Sequence, residues 1–355
     1  MLPPTLVRRL ALVPLVVVIA ACLVALTPLV ALASWASALV RRWTGRGHRS
    51  RPLRVAWLAL TWSVGEMAAL TVLLCLWIVS GFGGRLDTEP YRTRHYAVME
   101  RFLNQIYRAA ERACGLRVEV AGPPDEALAE DRPVVVLSRH AGPGDSLLVV
   151  HYLLTVCGRQ PRVVMKATLQ LDPSVDVVAN RVPNAFLRRR PGGVRFGDRQ
   201  QVEQIRRLAA GLGKRDALLI FPEGGNWTPL RWRRAIERLR RQGRAELARR
   251  AAAMPNLLPP RTGGAFAAIA ACPSADVIFV AHTGLDKLVS VRDVWQSLRT
   301  DVSVHARWWR VPAAEVPRGA DHETQITWLF DWWERLDDWI TEESGSAATI
   351  GRRSA

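Results

Sequence analysis

The sequence predicts an α/β domain with a mostly parallel central sheet flanked by helices, preceded by an N-terminal hydrophobic helical region that anchors the chain in a membrane. From Val118 onwards, short apolar runs alternate with stretches of helical character, a pattern typical of parallel sheets. Upstream, two apolar runs each exceed the roughly 20 residues needed to cross a bilayer core. The predicted strands lie near residues 118–120, 134–137, 162–165, 185–187, 218–221, 256–258, 276–280 and 302–306.

Residues 1–84 form the predicted membrane anchor. Its first apolar run, about 10–40, contains no charged residue, and its second run, about 55–82, contains only Glu66. A cleaved signal peptide is the alternative for the first run, because two arginines precede it and residues 31–33 resemble a cleavage site. The length of the first run, and the second run that follows it, favour an uncleaved anchor.

A histidine and an aspartate flank a glycine-rich turn after the second predicted strand. His140 ends the strand, and Asp145 follows Gly142, Pro143 and Gly144, where it is predicted to be the N-cap of an apolar helix. A carboxylate on the histidine Nδ1 fixes the tautomer and leaves Nε2 free to take a proton from a hydroxyl. The spacing therefore predicts a general base, His140, oriented by Asp145; a chance pairing is the alternative.

A glutamate stands at the end of another predicted strand. Residues 217–221 are apolar, and Pro222, Glu223, Gly224 and Gly225 follow them. Packing explains a carboxylate at this point poorly. Glu223 and Gly224 are therefore predicted to bind an acceptor substrate, with the glycines letting a ligand approach the backbone, and a capping glutamate in a turn is the alternative.

These blocks together resemble the glycerolipid acyltransferases of the lysophosphatidic acid acyltransferase type. Residues 140–145 match the family's His-x4-Asp signature, and residues 221–224 match Phe-Pro-Glu-Gly. Between them, Arg189 takes the place of the family's arginine after an apolar pair, and residues 258–264 resemble its later proline–glycine block. The resemblance covers roughly residues 95–340 in the right order, and ordered blocks are far more specific than any single block.

The chain departs from the family pattern at two places. The family usually has asparagine before the histidine, where this chain has Arg139, and Thr-Arg after Phe-Pro-Glu-Gly, where this chain has Gly225 and Asn226. The lost arginine is one expected phosphate contact, so the identity of the acceptor is open. A guanidinium matches a phosphate well, and several arginines can replace the missing charge. These candidates are Arg188, Arg189, Arg190, Arg195 and Arg231.

The resemblance implies transfer of a fatty acyl group from acyl-CoA to the free hydroxyl of lysophosphatidic acid, giving phosphatidic acid. It implies that Glu223 and Gly224 position the acceptor and that Arg189 meets the acceptor's phosphate. Backbone N–H groups of the turn at Gly144, or the side chain of Arg139, are candidates for holding the oxyanion. No cofactor and no metal are expected, because a thioester has a good leaving group; acyl carrier protein is the alternative donor to acyl-CoA.

Two other functions stay open. The first keeps the chemistry but uses another lysophospholipid or a glycolipid as acceptor. The second is a non-enzymatic membrane scaffold that binds anionic lipid, against which the intact His140, Asp145 and Glu223 weigh. The sequence makes no prediction of oligomeric state.

The chain is strongly basic, with a formal net charge of +17. Nine arginines between residues 231 and 250 fall in what the pattern predicts as one helix, and Trp227 and Trp232 lie near its start. A basic helix with tryptophan suits an anionic lipid surface. Nucleic acid is not expected as a partner, because no recognised nucleic-acid motif accompanies the charge. The five scattered cysteines have no spacing typical of zinc or of a disulfide framework.

The topology of the anchor has two interpretations. Six arginines between the apolar runs would draw that loop to the cytoplasm by the positive-inside rule. A family enzyme that uses acyl-CoA needs its active site in the cytoplasm as well. A re-entrant hairpin satisfies both requirements, and Pro14 and Pro28 permit bends in the first run. We expect a protein of the cell membrane whose catalytic domain lies on the cytoplasmic face.

The acyltransferase domain is predicted at residues 85–343. It begins with an amphipathic helix over 85–117. It closes with a helix over 326–340 that carries four tryptophans. Core packing is the expected role of these tryptophans, and seating at a membrane interface is the alternative. Residues 344–355 are predicted to be a disordered tail.

Overall fold

A computed structural model describes residues 2–44, 51–122, 132–187, 199–285 and 302–353. Within these residues the chain forms seven β-strands and ten α-helices. The strands are β1 (Arg117–Ala121), β2 (Val134–Ser138), β3 (Gln160–Lys166), β4 (Ala185–Leu187), β5 (Asp216–Ile220), β6 (Asp276–Thr283) and β7 (Ser303–Val311). The helices are α1 (Thr5–Thr44), α2 (Arg51–Val79), α3 (Glu89–Cys114), α4 (Pro143–Thr155), α5 (Pro173–Ala179), α6 (Arg199–Ala210), α7 (Pro229–Arg241), α8 (Ala245–Ala253), α9 (Thr262–Ala271) and α10 (His322–Arg353).

The strands form one seven-stranded sheet in the order β1-β7-β6-β2-β5-β3-β4. β2 lies at its centre and pairs in parallel with β5 on one side and with β6 on the other. β3 is parallel to β5, and β7 is antiparallel to β6. The predicted class, a mostly parallel sheet flanked by helices, is confirmed.

The chain divides into two compact units. The first, called the helical unit, contains α1, α2, α3 and the segment Lys166–Asn184, which includes α5. The second, called the sheet unit, contains the seven-stranded sheet and the remaining helices. This division differs from the predicted boundary at residue 85, because α3 belongs with the N-terminal helices and not with the sheet.

The first two helices of the helical unit are apolar and long. Each is long and apolar enough to cross a membrane, judged by length and composition. α1 continues through Pro14 and Pro28, and many of its large apolar side chains are exposed, including Leu6 and Trp35. Such surfaces favour association with a membrane.

The start of α1 is fixed by a buried carboxylate. Arg8 and Arg9 both pair with Asp176 of α5, and the Nε atom of Arg9 lies 2.7 Å from the Asp176 carboxylate. Asp176 is 1% exposed, and a buried carboxylate needs such partners. The two arginines that could mark a cleaved leader are therefore part of the packed helical unit.

α3 runs antiparallel to α2 along most of its length. The side chain of Gln105 donates a hydrogen bond to the carbonyl of Thr61 at 3.1 Å, and near the opposite end the Tyr91 hydroxyl donates to the carbonyl of Val79 at 3.0 Å. Gly65 allows the close approach, since a Cβ at this position would lie 3.1 Å from the Gln105 side chain. A charged, amphipathic helix thus accompanies α2 over its apolar length.

The core of the sheet unit lies between the central strands and α10. Every residue of β2, β5 and β6 is buried, as expected for parallel strands covered on both faces. Trp333 of α10 is fully buried, Trp339 is buried, and the ring of Trp332 stacks on Phe279 with centroids 4.5 Å apart. The predicted packing of the α10 tryptophans into the core is confirmed.

Two local predictions are wrong. Residues 256–258 form no strand; their Leu258 N–H donates to the side chain of Glu223 rather than to a neighbouring strand. The single basic helix is two helices, α7 and α8, because Gly243 takes a left-handed φ of 72° after α7, a common helix ending. α10 extends to Arg353, into the segment 344–355 for which disorder stays a prediction.

Candidate active site

Three polar side chains meet at the carboxyl ends of the three central strands. His140 follows β2, Glu223 follows β5, and His282 lies near the end of β6. β2 lies between β5 and β6, and the register of both parallel pairings brings the three strand ends level. Ligands of open parallel sheets bind at this edge, so the arrangement marks the candidate active site.

The structure brings His140 and Asp145 together. The Nδ1 atom of His140 lies 3.1 Å from Oδ1 and 3.2 Å from Oδ2 of Asp145. The ring of Phe221 packs against the imidazole with centroids 4.7 Å apart. The histidine side chain is 13% exposed, and no hydrogen bond to its Nε2 atom occurs among the described residues. This is the geometry of a general base that a carboxylate orients.

Asp145 is held by the backbone of the turn that it follows. Its Oδ2 atom accepts the N–H groups of Ala141 at 2.6 Å and Gly142 at 3.0 Å, and its Oδ1 atom accepts the hydroxyl of Ser146 at 3.1 Å. Gly142 is the N-cap of α4 and Asp145 is its third residue, so the prediction that Asp145 is the N-cap is wrong. A third-position carboxylate that reaches back to the cap N–H locks the turn and itself.

The charge of Asp145 follows from its hydrogen bonds. Burial alone would raise the pKa of this carboxyl, which is 1% exposed. The hydrogen bond with His140, and the nearness of the His282 ring, outweigh burial and hold the pKa of Asp145 well below its usual range. A fixed carboxylate charge beside Nδ1 is suited to stabilising an imidazolium at His140.

His282 is a site residue that the sequence analysis missed. Its Nε2 atom lies 3.6 Å from Oδ2 of Asp145, and the residue is 2% exposed. Asp145 therefore lies between two histidines. The sequence does place His282 as a polar residue at the end of an apolar strand, as it does His140. It does not show that β6 lies beside β2, so the contact of His282 with Asp145 could not be predicted.

Glu223 holds the backbone of His140. One carboxylate oxygen accepts the N–H of His140 at 2.7 Å, and the other accepts the N–H of Leu258 at 3.0 Å. The N–H of Trp227, in the same loop, donates to the carbonyl of His140 at 2.8 Å. The loop after β5 thus binds both peptide groups of His140. Acceptor binding by Glu223 stays a prediction, and its contacts favour a positioning role.

Burial also changes the titration of Glu223, which is 3% exposed. Burial raises the pKa of Glu223 to about 8, although the N–H groups of Leu258 and His140 and the charge of Arg139 act in the opposite direction. The group therefore exchanges its proton near neutral pH.

Gly224 is required by its surroundings. Its φ of 68° lies in the left-handed region, and a Cβ at this position would lie 2.5 Å from the Cζ atom of Arg261. The guanidinium of Arg261 therefore covers this face of the turn. Contact of Gly224 with an acceptor stays a prediction.

The remaining predicted site residues are Arg139, Gly144 and Arg189. The guanidinium of Arg139 is buried and donates hydrogen bonds to the backbone carbonyls of His282 and Asn256. Contact of Arg139 with an oxyanion stays a prediction. Gly144 is exposed in the first turn of α4, where helical N–H groups favour negative charge. Arg189 lies outside the described residues.

Residues 117–283 match the family model described as Acyltransferase. The match supports an acyltransferase. It spans β1 to β6 and so contains His140, Asp145, Glu223 and His282, while α1, α2 and α10 lie outside it.

One solved structure similar to the chain is the 1-acyl-sn-glycerophosphate (LPA) acyltransferase PlsC from Thermotoga maritima. The sequences are 14% identical, the similarity covers 78% of this chain and 97% of that chain, and the TM-score is 0.46. A comparison with curated proteins gave no significant match.

Proposed function

We propose that the protein transfers a fatty acyl group from acyl-CoA to the free hydroxyl of lysophosphatidic acid, giving phosphatidic acid. The observation that carries this proposal is the pairing of His140 Nδ1 with the buried Asp145 carboxylate, 3.1 Å apart, at the carboxyl edge of the acyltransferase-like sheet. A histidine held in this way, with its Nε2 atom unengaged, is suited to removing a proton from a hydroxyl.

The reaction then has two steps. His140 takes the hydroxyl proton while the acceptor oxygen attacks the thioester carbonyl, and a tetrahedral oxyanion forms. The oxyanion collapses, the carbon–sulfur bond breaks, and the thiolate of coenzyme A leaves with the proton that His140 carried. Asp145 stabilises the transient imidazolium, and the N–H groups at the start of α4, including that of Gly144, are the candidates for binding the oxyanion.

The acceptor phosphate needs a cation to pair with. The arginine that the family has after Phe-Pro-Glu-Gly is absent from this chain, so another arginine must take its place. Arg189 is the first candidate by resemblance. Arg231 is the second, because its guanidinium donates to the carbonyl of Asn226 at 2.9 Å and lies 3.1 Å from where a Cβ on Gly225 would be. An arginine from the next helix therefore reaches the loop that lacks the family's own arginine. Another lysophospholipid or a glycolipid is the alternative acceptor.

We further propose that the helical unit attaches the protein to one face of the membrane. Beyond Glu89 at its first position, α3 carries seven further charged residues. Because α3 accompanies α2, these residues would reach hydrocarbon depth if α2 crossed the bilayer exposed to lipid. Charged side chains at this depth are costly. This favours the re-entrant over the spanning interpretation, with catalysis on the cytoplasmic face where acyl-CoA is found. The charged residues are Arg92, Arg94, Glu100, Arg101, Arg108, Glu111 and Arg112.

The test uses membranes that contain the full chain or its His140→Ala variant. The membranes are incubated with a labelled acyl group carried either by coenzyme A or by acyl carrier protein. Each incubation also contains one acceptor from a panel led by lysophosphatidate. We expect label in phosphatidate with the wild type alone. Transfer to a different lysolipid would change the acceptor and keep the chemistry, while no transfer to any acceptor from either donor would favour the scaffold.

A further inference from the structure

A cleft in the helical unit has one apolar wall and one basic wall. It encloses about 610 Å³ between α2 and α3. The α2 wall has apolar residues at helical spacing, and Trp57 and Val64 are 45% and 47% exposed. The α3 wall is polar. The lining residues are Trp57, Leu60, Thr61, Val64, Arg101, Asn104, Gln105, Arg108, Ala109 and Arg112.

The two walls are held together by specific contacts. The ring of Trp62 meets that of Phe102 edge-on with centroids 5.3 Å apart, beside the hydrogen bond between Gln105 and Thr61. The cleft is therefore a built feature of the helix pair and not a gap between loosely placed elements. It belongs entirely to the helical unit and is distinct from the candidate active site.

The arginines of the basic wall are placed for a phosphate. Arg108 and Arg112 lie four residues apart on α3, so their side chains are neighbours on one face, and both are exposed. Among the residues that the structure describes, neither has an ion-pair partner, and no acidic residue lines the cleft. Two adjacent guanidinium groups without carboxylates are suited to a phosphodiester.

We propose that this cleft binds one anionic phospholipid of the bilayer. Its phosphate contacts Arg108 and Arg112, and an acyl chain lies along Trp57, Leu60 and Val64. The charge of the basic wall favours an anionic over a zwitterionic lipid, and an exposed tryptophan beside arginines is typical of a helix at the level of lipid head groups. Bound lipid would complete the packing of α2 and fix the helical unit to the membrane.

The experiment uses the full chain in detergent with phosphatidylglycerol that carries a photoactivatable group in its acyl chain. After irradiation, adducts are located by peptide mass spectrometry. We expect the adducts within residues 57–64. In the Arg108→Gln/Arg112→Gln variant, we expect the yield of these adducts to fall roughly tenfold. The Arg108→Lys/Arg112→Lys variant should keep most of it, which separates loss of charge from loss of fold.

The matched control removes two exposed arginines of the sheet unit that lie outside α7 and α8, in Arg215→Gln/Arg307→Gln, and should label residues 57–64 as the wild type does. Equal labelling by a phosphatidylcholine analogue would overturn the proposal, as would labelling that the double glutamine variant leaves unchanged. An equal loss in the control would show attraction by bulk charge alone. Displacement of the lipid by millimolar glycerol phosphate would identify a site for soluble phosphates instead.

Discussion

Buried carboxylates have different partners at the two ends of the central strands. At the amino ends, Asp216 of β5 pairs with Arg162 at 2.5 Å, and Asp276 of β6 pairs with Arg310 at 2.7 Å. At the carboxyl ends, Asp145 pairs with histidines. The same sheet thus has arginine partners at one edge and histidine partners at the other.

The difference lies in what the partner can do with a proton. Arginine stays protonated at any physiological pH, so Asp216 and Asp276 are neutralised permanently and serve the fold. Histidine gains and loses a proton near neutrality, so the charge that Asp145 faces can change during a reaction. Glu223, at the same edge, accepts two backbone N–H groups, and the charge of Arg139 lies near it. Polar groups at the amino edge therefore support the sheet, and under the proposed mechanism those at the carboxyl edge take part in the chemistry.

The largest effect is expected from Asp145→Asn. The amide cannot stabilise an imidazolium and favours the wrong histidine tautomer, so turnover should fall by roughly a thousand-fold to ten-thousand-fold. The check is the rate of acyl transfer at saturating substrates, with circular dichroism to confirm the fold. Retention of more than a tenth of the wild-type rate would remove Asp145 from the mechanism.

The matched change at the other edge is Asp276→Asn. It removes the carboxylate charge that faces the partly exposed Arg310, and it weakens the contact of residue 276 with the N–H of Ala313, which is 2.8 Å long. The free energy of unfolding should fall by about 3 kcal/mol. Denaturant unfolding in detergent measures this, and the turnover of the remaining folded protein should stay within a few-fold of wild type. A loss of turnover as large as that of Asp145→Asn would erase the distinction between the edges.

The pH dependence of stability tests Glu223. The unfolded glutamate loses its proton near pH 4.5, whereas the folded one keeps it to about pH 8. Between these values the unfolded state binds fewer protons, so this group lowers stability as pH rises, by about 1.4 kcal/mol per pH unit. Unfolding measured from pH 5 to 8 should show the wild type losing stability relative to Glu223→Gln. Parallel curves for the two proteins would contradict the raised pKa.

The smallest effect is expected from His282→Gln. Asp145 keeps its backbone contacts and His140 but loses its second histidine, so kcat should fall roughly tenfold with little change in acceptor KM. His305→Gln, on the exposed face of β7, is the control and should be neutral. A larger loss than that of Asp145→Asn would make His282 the base instead of a positioning residue.

The sequence predicts local features of this site and misses those that join distant segments. His140 and Asp145 are five residues apart, so their spacing can be recognised in the sequence. The carboxyl ends of six of the seven strands lie in or near the predicted ranges, although the prediction uses no knowledge of strand pairing. The contact of Glu223 with the His140 backbone, and the place of His282 beside Asp145, both depend on β2 lying between β5 and β6. That order follows from tertiary packing. Leu257 and Leu258 were mistaken for a strand because burial alone makes an irregular segment apolar.

The proposed mechanism depends most on His140 as the proton acceptor in acyl transfer. The direct measurement is the initial rate of acyl transfer from acyl-CoA to lysophosphatidate by equal amounts of wild type, His140→Ala and His305→Ala in the same membranes. We expect the rate of His140→Ala to fall at least as far as that of Asp145→Asn, by roughly a thousand-fold or more, and His305→Ala to keep the wild-type rate. An active wild type with an equally active His140→Ala would contradict it.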